Sequence, residues 1–400
     1  MTNKNGFQLG LLPKLIIGVI CGILIGSFAP LVIMRGINTI VQIFSNYLNF
    51  IVPMIILAFV VTGISDLGAG SGKILGFSVF MSYGSTILWG FVAYFLSMAL
   101  FPQILDLSGT ASVNEIGEIE PFFTIEMPPL ANITSILILA FVLGIGISLL
   151  KTEKIKGLFS EFHRIINMVL EKSIIPFLPL YIAGIFAQLT FSGNIQEILK
   201  SYGAVFIAVV VFQIIVNILE YIIARTYNRD APSVAQFIKN QIPSWLTAIG
   251  TQSSAATIPI TLQTAEKNGT SKEIRDFFIP LSATIHFPGS SIAIMMFATA
   301  VMLMDKMTPS FGSIVIFILL MGITMVAAPG VPGGAIMAAL GLLGAHLGFN
   351  DTQSTLMIAL YLAQDSFGTA CSVAGNCALV TIIDKKAKQY EEEKNEKGKF

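Results

Sequence analysis

From Met307 to Asn350 the chain carries no Asp, Glu, Lys or Arg, yet the middle of that stretch reads Ala327-Ala328-Pro329-Gly330-Val331-Pro332-Gly333-Gly334. A membrane-spanning helix needs about 20 consecutive apolar residues. Here the run is interrupted where its backbone would lie inside the bilayer. Proline lacks an amide donor and glycine loosens the helix, so several backbone groups at the interruption have no helical partner. In hydrocarbon such backbone survives only when protein covers it or it lines a watery cavity. An interrupted apolar segment therefore points to a transporter's binding site.

The rest of the chain agrees with a membrane class. Apolar residues make up 54% and charged residues 12%, with a mean hydropathy of +0.80. Ten of the charges fall after Asp384, so the body is poorer still. The 23 basic and 23 acidic residues cancel, and no basic stripe suggests a nucleic-acid partner. Cys21, Cys371 and Cys377 stand in apolar surroundings without metal-ligand spacing and read as small buried residues. Ile16 to Ile33 follows Lys4 and Lys14 but is too long for a signal core, so it reads as the first transmembrane helix.

Apolar windows fall near 14–34, 37–64, 75–102, 129–150, 165–192 and 201–224, then near 237–263, 273–303, 309–346 and 352–383. Basic residues cluster in alternate loops: Lys4 and Lys14, Lys73, Lys151 to Arg164, Arg225 to Lys239, and Lys385 to Lys388. The loop from Asp106 to Glu126 holds five acids and no base. That alternation predicts a multi-pass protein of the cell membrane with both termini cytoplasmic. Glu171 and Glu220 lie towards span ends, where snorkelling or pairing with Lys172 or Arg225 explains them.

The second group of windows repeats one plan. Thr251-Gln252-Ser253-Ser254-Ala255-Ala256-Thr257-Ile258-Pro259 interrupts one segment, and the next breaks at His286-Phe287-Pro288-Gly289-Ser290. The Pro/Gly-interrupted segment follows, and after it a span carrying Asp365. Small and hydroxyl-bearing residues at a mid-membrane turn let backbone approach a ligand. The alternatives are a loop exposed to water for the serine cluster, and an ordinary turn between two short spans for the Pro/Gly cluster.

This order of elements resembles the dicarboxylate/amino acid:cation symporter family, the fold of the glutamate transporters. The resemblance runs from the first span to about Asp384. Its most specific pieces are Ser253 to Pro259, Gly330-Val331-Pro332-Gly333 and Asp365 to Asn376. It implies an all-α integral membrane fold with eight transmembrane helices, two re-entrant hairpins and inverted repeats, assembled as a homotrimer among membrane lipids. It also implies an elevator motion. Residues 1–74 and 129–198 would form the scaffold. Residues 75–128 would supply the third helix and an acidic extracellular loop, 199–384 the rest of the transport domain, and 385–400 a charged cytoplasmic tail.

Asp365, Thr369, Ser372 and Asn376 are spaced by four, three and four, which places them on one helical face. A carboxylate deep in a span is costly and usually functional; the bland reading is a structural hydrogen-bonding Asp. By resemblance, Asp365 matches the carboxylate that accepts a substrate amine. Ser253, Ser254, Ala255, Val331, Pro332, Gly333, Gly368, Thr369 and Ser372 complete the implied substrate site. Acid-selective relatives carry an arginine at the position of Gly368, or in the first hairpin at that of Gln252. Without either cation, a second substrate carboxylate stands unpaired, so the reading favours a neutral amino acid whose side chain faces Gly368 and Ser372.

Ion coupling departs from the family as well. His286, Pro288 and Asn376 stand where relatives carry Asn, Asp and a further carboxylate that help bind sodium. Tyr83 and Thr86 match residues lining one sodium site, and backbone around Thr284, Ser290 and Ala327 could keep another. Sodium is thus a candidate coupling ion, with no other cofactor implied. His286 is the rival: it titrates near neutral pH and could carry a proton, coupled to Asp365, unless it is a neutral histidine bonded inside the bundle. His163 and His346 receive no role.

The sequence therefore predicts a secondary active symporter for a small amine-bearing solute, driven by sodium or protons. Uptake of a dicarboxylate or other organic anion is the alternative within that class; an anion channel or a non-transporting sensor is the alternative outside it. An intramembrane hydrolase using Ser253 or Ser254 with His286 is not expected, because the hairpin plan explains these residues without chemistry.

Overall fold

The computed structural model describes residues 11–67, 73–105, 119–131, 133–191, 195–326 and 333–397. These are mostly helical, with an irregular segment at 119–131 and without strands among them. The helices are α1 (Leu11–Phe28), α2 (Leu31–Leu67), α3 (Lys73–Ile104), α4 (Ile133–Leu150), α5 (Glu153–Val169), α6 (Ile175–Phe191) and α7 (Ile195–Tyr227). They continue with α8 (Val234–Thr251), α9 (Ser254–Lys267), α10 (Lys272–Ile285), α11 (Pro288–Met304), α12 (Phe311–Val326), α13 (Gly334–Leu342) and α14 (Asp351–Lys397).

Five of these stretches are long and apolar enough to cross a membrane. They are Leu31–Thr62, Lys73–Ile104, Tyr202–Tyr227, Lys272–Met304 and Asp351–Tyr390. A sixth counts if the pair Glu153–Ile174 and Pro179–Gln188, bent by 51°, forms one span. The described chain is thus a multi-helix membrane protein.

Two boundaries differ from the sequence reading. The first two apolar windows were expected to part near Arg35, but the chain breaks at Ala29-Pro30. Pro30 has no amide donor and serves at the start of a helix. Arg35 is carried inside α2, where its Nε donates to the Glu120 carbonyl 3.1 Å away and its guanidinium lies 4.9 Å from the centre of the Phe122 ring. The basic segment Lys151 to Arg164 is not simply a loop either. Most of it is α5, whose apolar side packs on α2 while its charges face out.

Packing groups the helices. α2 packs against α4, α5 and α6, and α1 lies along α6. Gly18, Gly22 and Gly26 share one face of α1, and a Cβ on any of them would collide with the backbone carbonyl of Pro179, Ala183 or Ala187. Small residues every fourth position permit that close approach between membrane helices. The second group is built on α14, which packs against α7, α8, α9, α10 and α11, while α3 lies along α11. Around the junction of these helices the side chains are almost wholly buried, including every residue of α11 except Leu303.

α8 and α9 fold back on each other. Asn240 near the start of α8 donates to Asn268 just past the end of α9 at 2.8 Å, and Ser244 meets Thr264 at 3.0 Å. Gln252 closes α8 at φ 52°, a left-handed conformation unusual for a residue with a side chain, and Ser253 caps α9 by accepting from the Ala256 amide. α12 packs on α13 in the same manner. The tip between them, including Ala327, Val331 and Pro332, lies outside the described residues.

Candidate functional site

Three chain interruptions meet α14 between Tyr361 and Asn376. The first is the α8–α9 tip: the Gln252 side-chain amide donates to Ser366 Oγ at 2.9 Å. The second is the start of α13, where Gly333, at φ 77°, donates its backbone amide to Asp365 Oδ2 at 2.7 Å. The third is the α10–α11 break at His286-Phe287, which Pro288 makes a helix start. Each interruption turns a helix N-terminus, with amides that lack a partner within the helix and a partial positive charge, into the molecule.

Asp365 is buried, 4% exposed, and the hydroxyls of Tyr361 and Thr369 stand beside its carboxylate. The Tyr361 hydroxyl donates to Ser290 Oγ at 2.8 Å, which ties this part of α14 to α11. Ser372 lies one turn below Thr369. Its hydroxyl donates to the Gly368 carbonyl at 3.0 Å and accepts from the Gly289 amide at 3.2 Å. A Cβ on Gly289 would collide with the Gly368 carbonyl, and one on Gly368 would lie 3.2 Å from Gln364 Oε1. Gly368 and Ser372 are therefore packed on the start of α11, and the Ser372 hydroxyl already has both partners.

The break itself is clamped on every side. The Phe287 amide donates to Thr86 Oγ1 at 3.2 Å, and the Gly289 carbonyl accepts from Gln213 Nε2 at 2.8 Å. Gln213 is in turn held by Gln364 Nε2 at 2.5 Å. His286, 1% exposed, places Nδ1 2.7 Å from Asn376 Oδ1 and Nε2 3.0 Å from Ser85 Oγ. Ser85 also bonds Glu220 Oε1 at 2.8 Å, and Trp89 Nε1 donates to that same oxygen at 2.7 Å.

The expected residues thus separate into groups. The structure brings Gly333 and Thr369 to Asp365, ties Ser290 to Tyr361 one turn away, and pairs His286 with Asn376. Thr86 sits at the break, while Tyr83 is mostly buried on the same helix. Ser253 and Ser254 occupy the start of α9, with Ala255 exposed beside them. Thr284 stands apart: it is exposed and its hydroxyl turns back to the Leu281 carbonyl at 2.8 Å. Val331 and Pro332 lie outside the described residues.

Glu220 overturns its sequence reading. It was assigned to a span end, beside Arg225, but it is 6% exposed and belongs to the His286 chain. Five residues along a helix turn by about 140°, so Arg225 cannot share its face, and Arg225 donates instead to the Ala231 carbonyl. His286 likewise meets Glu220 through Ser85, where Asp365 was named as its partner. Ser85, Trp89, Gln213, Tyr361 and Gln364 were not singled out. An acid amid the apolar residues of α7 was a usable signal for Glu220, whereas neutral polar residues carry none without the packing.

This arrangement of broken helices around a buried carboxylate, in a chain with several membrane-length helices, suits a membrane transporter. Residues 11–386 match the sodium:dicarboxylate symporter family, and the chain belongs to that family. It is similar to the serine/threonine transporter SstT of Streptococcus agalactiae serotype III (strain NEM316), with 25% identity over 343 residues covering 82% of this chain and 83% of that protein. The serotype Ia (strain A909) and serotype V (strain 2603 V/R) proteins of the same description show the same identity and coverage.

Proposed function

We propose that this protein takes up a small neutral amino acid, of the serine and threonine type, by cation-coupled symport. The observation that carries this reading is Asp365, a buried carboxylate with no cation to meet a second anionic group. No lysine or arginine is among the buried residues described, and Gly368 and Gln252 occupy the positions where acid-selective relatives place arginine. One carboxylate on the substrate suits the amides at the starts of α9 and α13, and its amine suits Asp365. A second carboxylate would be buried unpaired, a cost of several kcal/mol. The similarity to streptococcal serine/threonine transporters supports the same substrate type.

In this reading α1, α2, α4, α5 and α6 form the scaffold, with α3 and α7 to α14 the moving domain, within the boundaries 1–74, 75–128, 129–198 and 199–384. The α8–α9 and α12–α13 pairs are re-entrant hairpins, eight helices span the bilayer, the charged tail faces the cytoplasm, and three copies assemble. Sodium, which would be cargo, is the coupling ion that the family name suggests. The residues at the break fit it less well than the family pattern does: Asn376 Oδ1 is engaged with His286, and Thr86 Oγ1 donates to the Ser82 carbonyl as well as accepting from Phe287. The test is uptake by purified protein in vesicles, with serine, threonine, aspartate and succinate, under a sodium gradient and under a proton gradient. Serine or threonine uptake without uptake of the diacids is expected. Transport of succinate or aspartate alone would sink the neutral-substrate reading.

A further inference from the structure

Glu220 is a buried acid with half its carboxylate unpartnered. Oε1 takes the bonds from Ser85 and Trp89, but Oε2 has no hydrogen-bond partner. It faces the space above Gly375, where a Cβ would lie 2.6 Å from Glu220 Oε2 and 2.9 Å from His286 Cε1. The absence of a side chain there is what lets an acid from α7 and an imidazole from the end of α10 approach over α14. Buried polar atoms are ordinarily satisfied, so an orphan carboxylate oxygen calls for a donor, which a proton of its own, a water or a cation supplies.

The hydrogen bonds limit what that partner is. Ser85 has one hydrogen to donate. If Glu220 is ionised, Ser85 donates to Oε1 and His286 Nε2 donates to Ser85; the Nδ1 contact with Asn376 Oδ1 then needs a second imidazole hydrogen. If Glu220 is protonated, Ser85 turns its hydrogen to Nε2, and neutral His286 donates from Nδ1 to Asn376. Both arrangements hold the same single proton and both are net neutral. Removing it leaves an unbalanced anion in the membrane interior, which is costly.

Few other groups compete. Cys371, on α14, feels the Glu220 charge, and its carbonyl and Sγ are held by Asn217 Nδ2 at 2.9 and 3.3 Å. Tyr221 follows Glu220 on α7 but its hydroxyl donates to the Pro232 carbonyl at 2.8 Å, and Tyr83 stands two residues before Ser85 on α3. α11 has no titratable side chain. Lys73 starts α3 twelve residues before Ser85, about 18 Å away along the helix, and Lys239 on α8 is exposed. On α14, Asp365 is ten residues before Gly375, about 15 Å along the axis. On α6, Tyr181 is engaged with Thr355 at 2.6 Å.

We infer that Glu220 is a proton-binding site of the transport cycle, taking one proton on its carboxylate from water on the side where substrate is taken up and releasing it to water on the other. His286 and Ser85 position that proton and share it. The step forms one O–H bond and later breaks it, with no other reactant. It rests on the transport reading above, and it explains why a histidine and an asparagine stand where charged sodium-site residues were expected: the compensating charge is supplied from α7.

The experiment uses the full-length protein in vesicles enclosing a pH-sensitive dye, with threonine as the probe and the membrane potential clamped. Threonine influx should acidify the lumen. In Glu220→Gln, which keeps the neutral form permanently, acidification should fall at least tenfold while threonine-for-threonine exchange continues. Threonine uptake without acidification in the wild type, or undiminished acidification in the variant, would overturn the inference. A substrate-independent readout separates this from failure of the transport reading. Infrared spectra of the purified protein should show a protonated-carboxyl band that survives Asp365→Asn and disappears in Glu220→Gln. Should Glu220→Gln fail to fold, Trp89→Phe, which removes one bond to Oε1, must shift that band; an absent or unmoved band refutes the site.

Discussion

Asp365 shows how one residue can serve two elements. It lies in the middle of α14, yet its acceptor oxygen secures Gly333 at the start of α13, so the state of the carboxylate and the position of the second helix pair are linked. A substrate amine that takes up this carboxylate competes with the Gly333 amide. Asp365→Asn keeps the shape but removes the charge. Hydrogen bonds to charged groups contribute about 1.5–3 kcal/mol, so the variant should bind threonine roughly 10- to 100-fold more weakly. Thermal-shift titration of the purified variant measures this; unchanged affinity would remove Asp365 from the substrate site. That Asp365 mattered was legible in the sequence, because an acid in an apolar span is conspicuous. That Gly368 is a packing residue was not, since its neighbour Gly289 is 79 positions away in the chain.

At the scale of elements, the α11–α14 seam sets the geometry of the break. Gly289 and Gly368 let the start of α11 sit against the α14 backbone, and Ser372 bonds across the same contact. A methyl group added at Gly289 has backbone in its way rather than a side chain that could yield. Overpacking of this kind costs about 1–3 kcal/mol. Gly289→Ala should therefore lower the unfolding temperature and weaken substrate binding together, while Gly312→Ala, whose nearest neighbour would be Ser310 Oγ at 3.7 Å, should leave both unchanged. Equal unfolding temperatures for the two variants would show that the seam tolerates a side chain. The interruptions themselves were visible as Pro, Gly and Ser clusters, with their physical consequence attached. The helical α5 and the break at Pro30 differ from the sequence expectation because charge density alone does not separate a loop from a helix. An amphipathic surface helix carries as much charge as a loop.

For the whole molecule, the proposed sliding of one helix group past the other must break contacts between them. One such contact is the bond between Tyr181 Oη on α6 and Thr355 Oγ1 on α14, 2.6 Å long and buried. A net hydrogen bond is worth about 0.5–1.5 kcal/mol, so if it is lost in the rate-limiting transit, Tyr181→Phe should raise the uptake rate by up to about tenfold. Threonine affinity should not change, because neither residue is near Asp365 on α14. Initial uptake rates and binding titrations on the same preparation check both halves. A changed affinity with an unchanged rate would place this pair in binding rather than motion.

What the sequence determined by itself was the solvent and the class. Long charge-free runs demand a bilayer, interrupted runs demand protein or water around their free backbone groups, and a lone acid among apolar residues demands a partner. These are local requirements, and they are written in consecutive residues. What only the tertiary structure decided was which partners meet those demands. Glu220, Ser85, His286 and Asn376 come from four helices spread over most of the chain, and a missing side chain at Gly375 creates the space they share. Hydrogen bonding is short-ranged and directional, so residue type and spacing cannot assign such pairs until packing has brought the helices together.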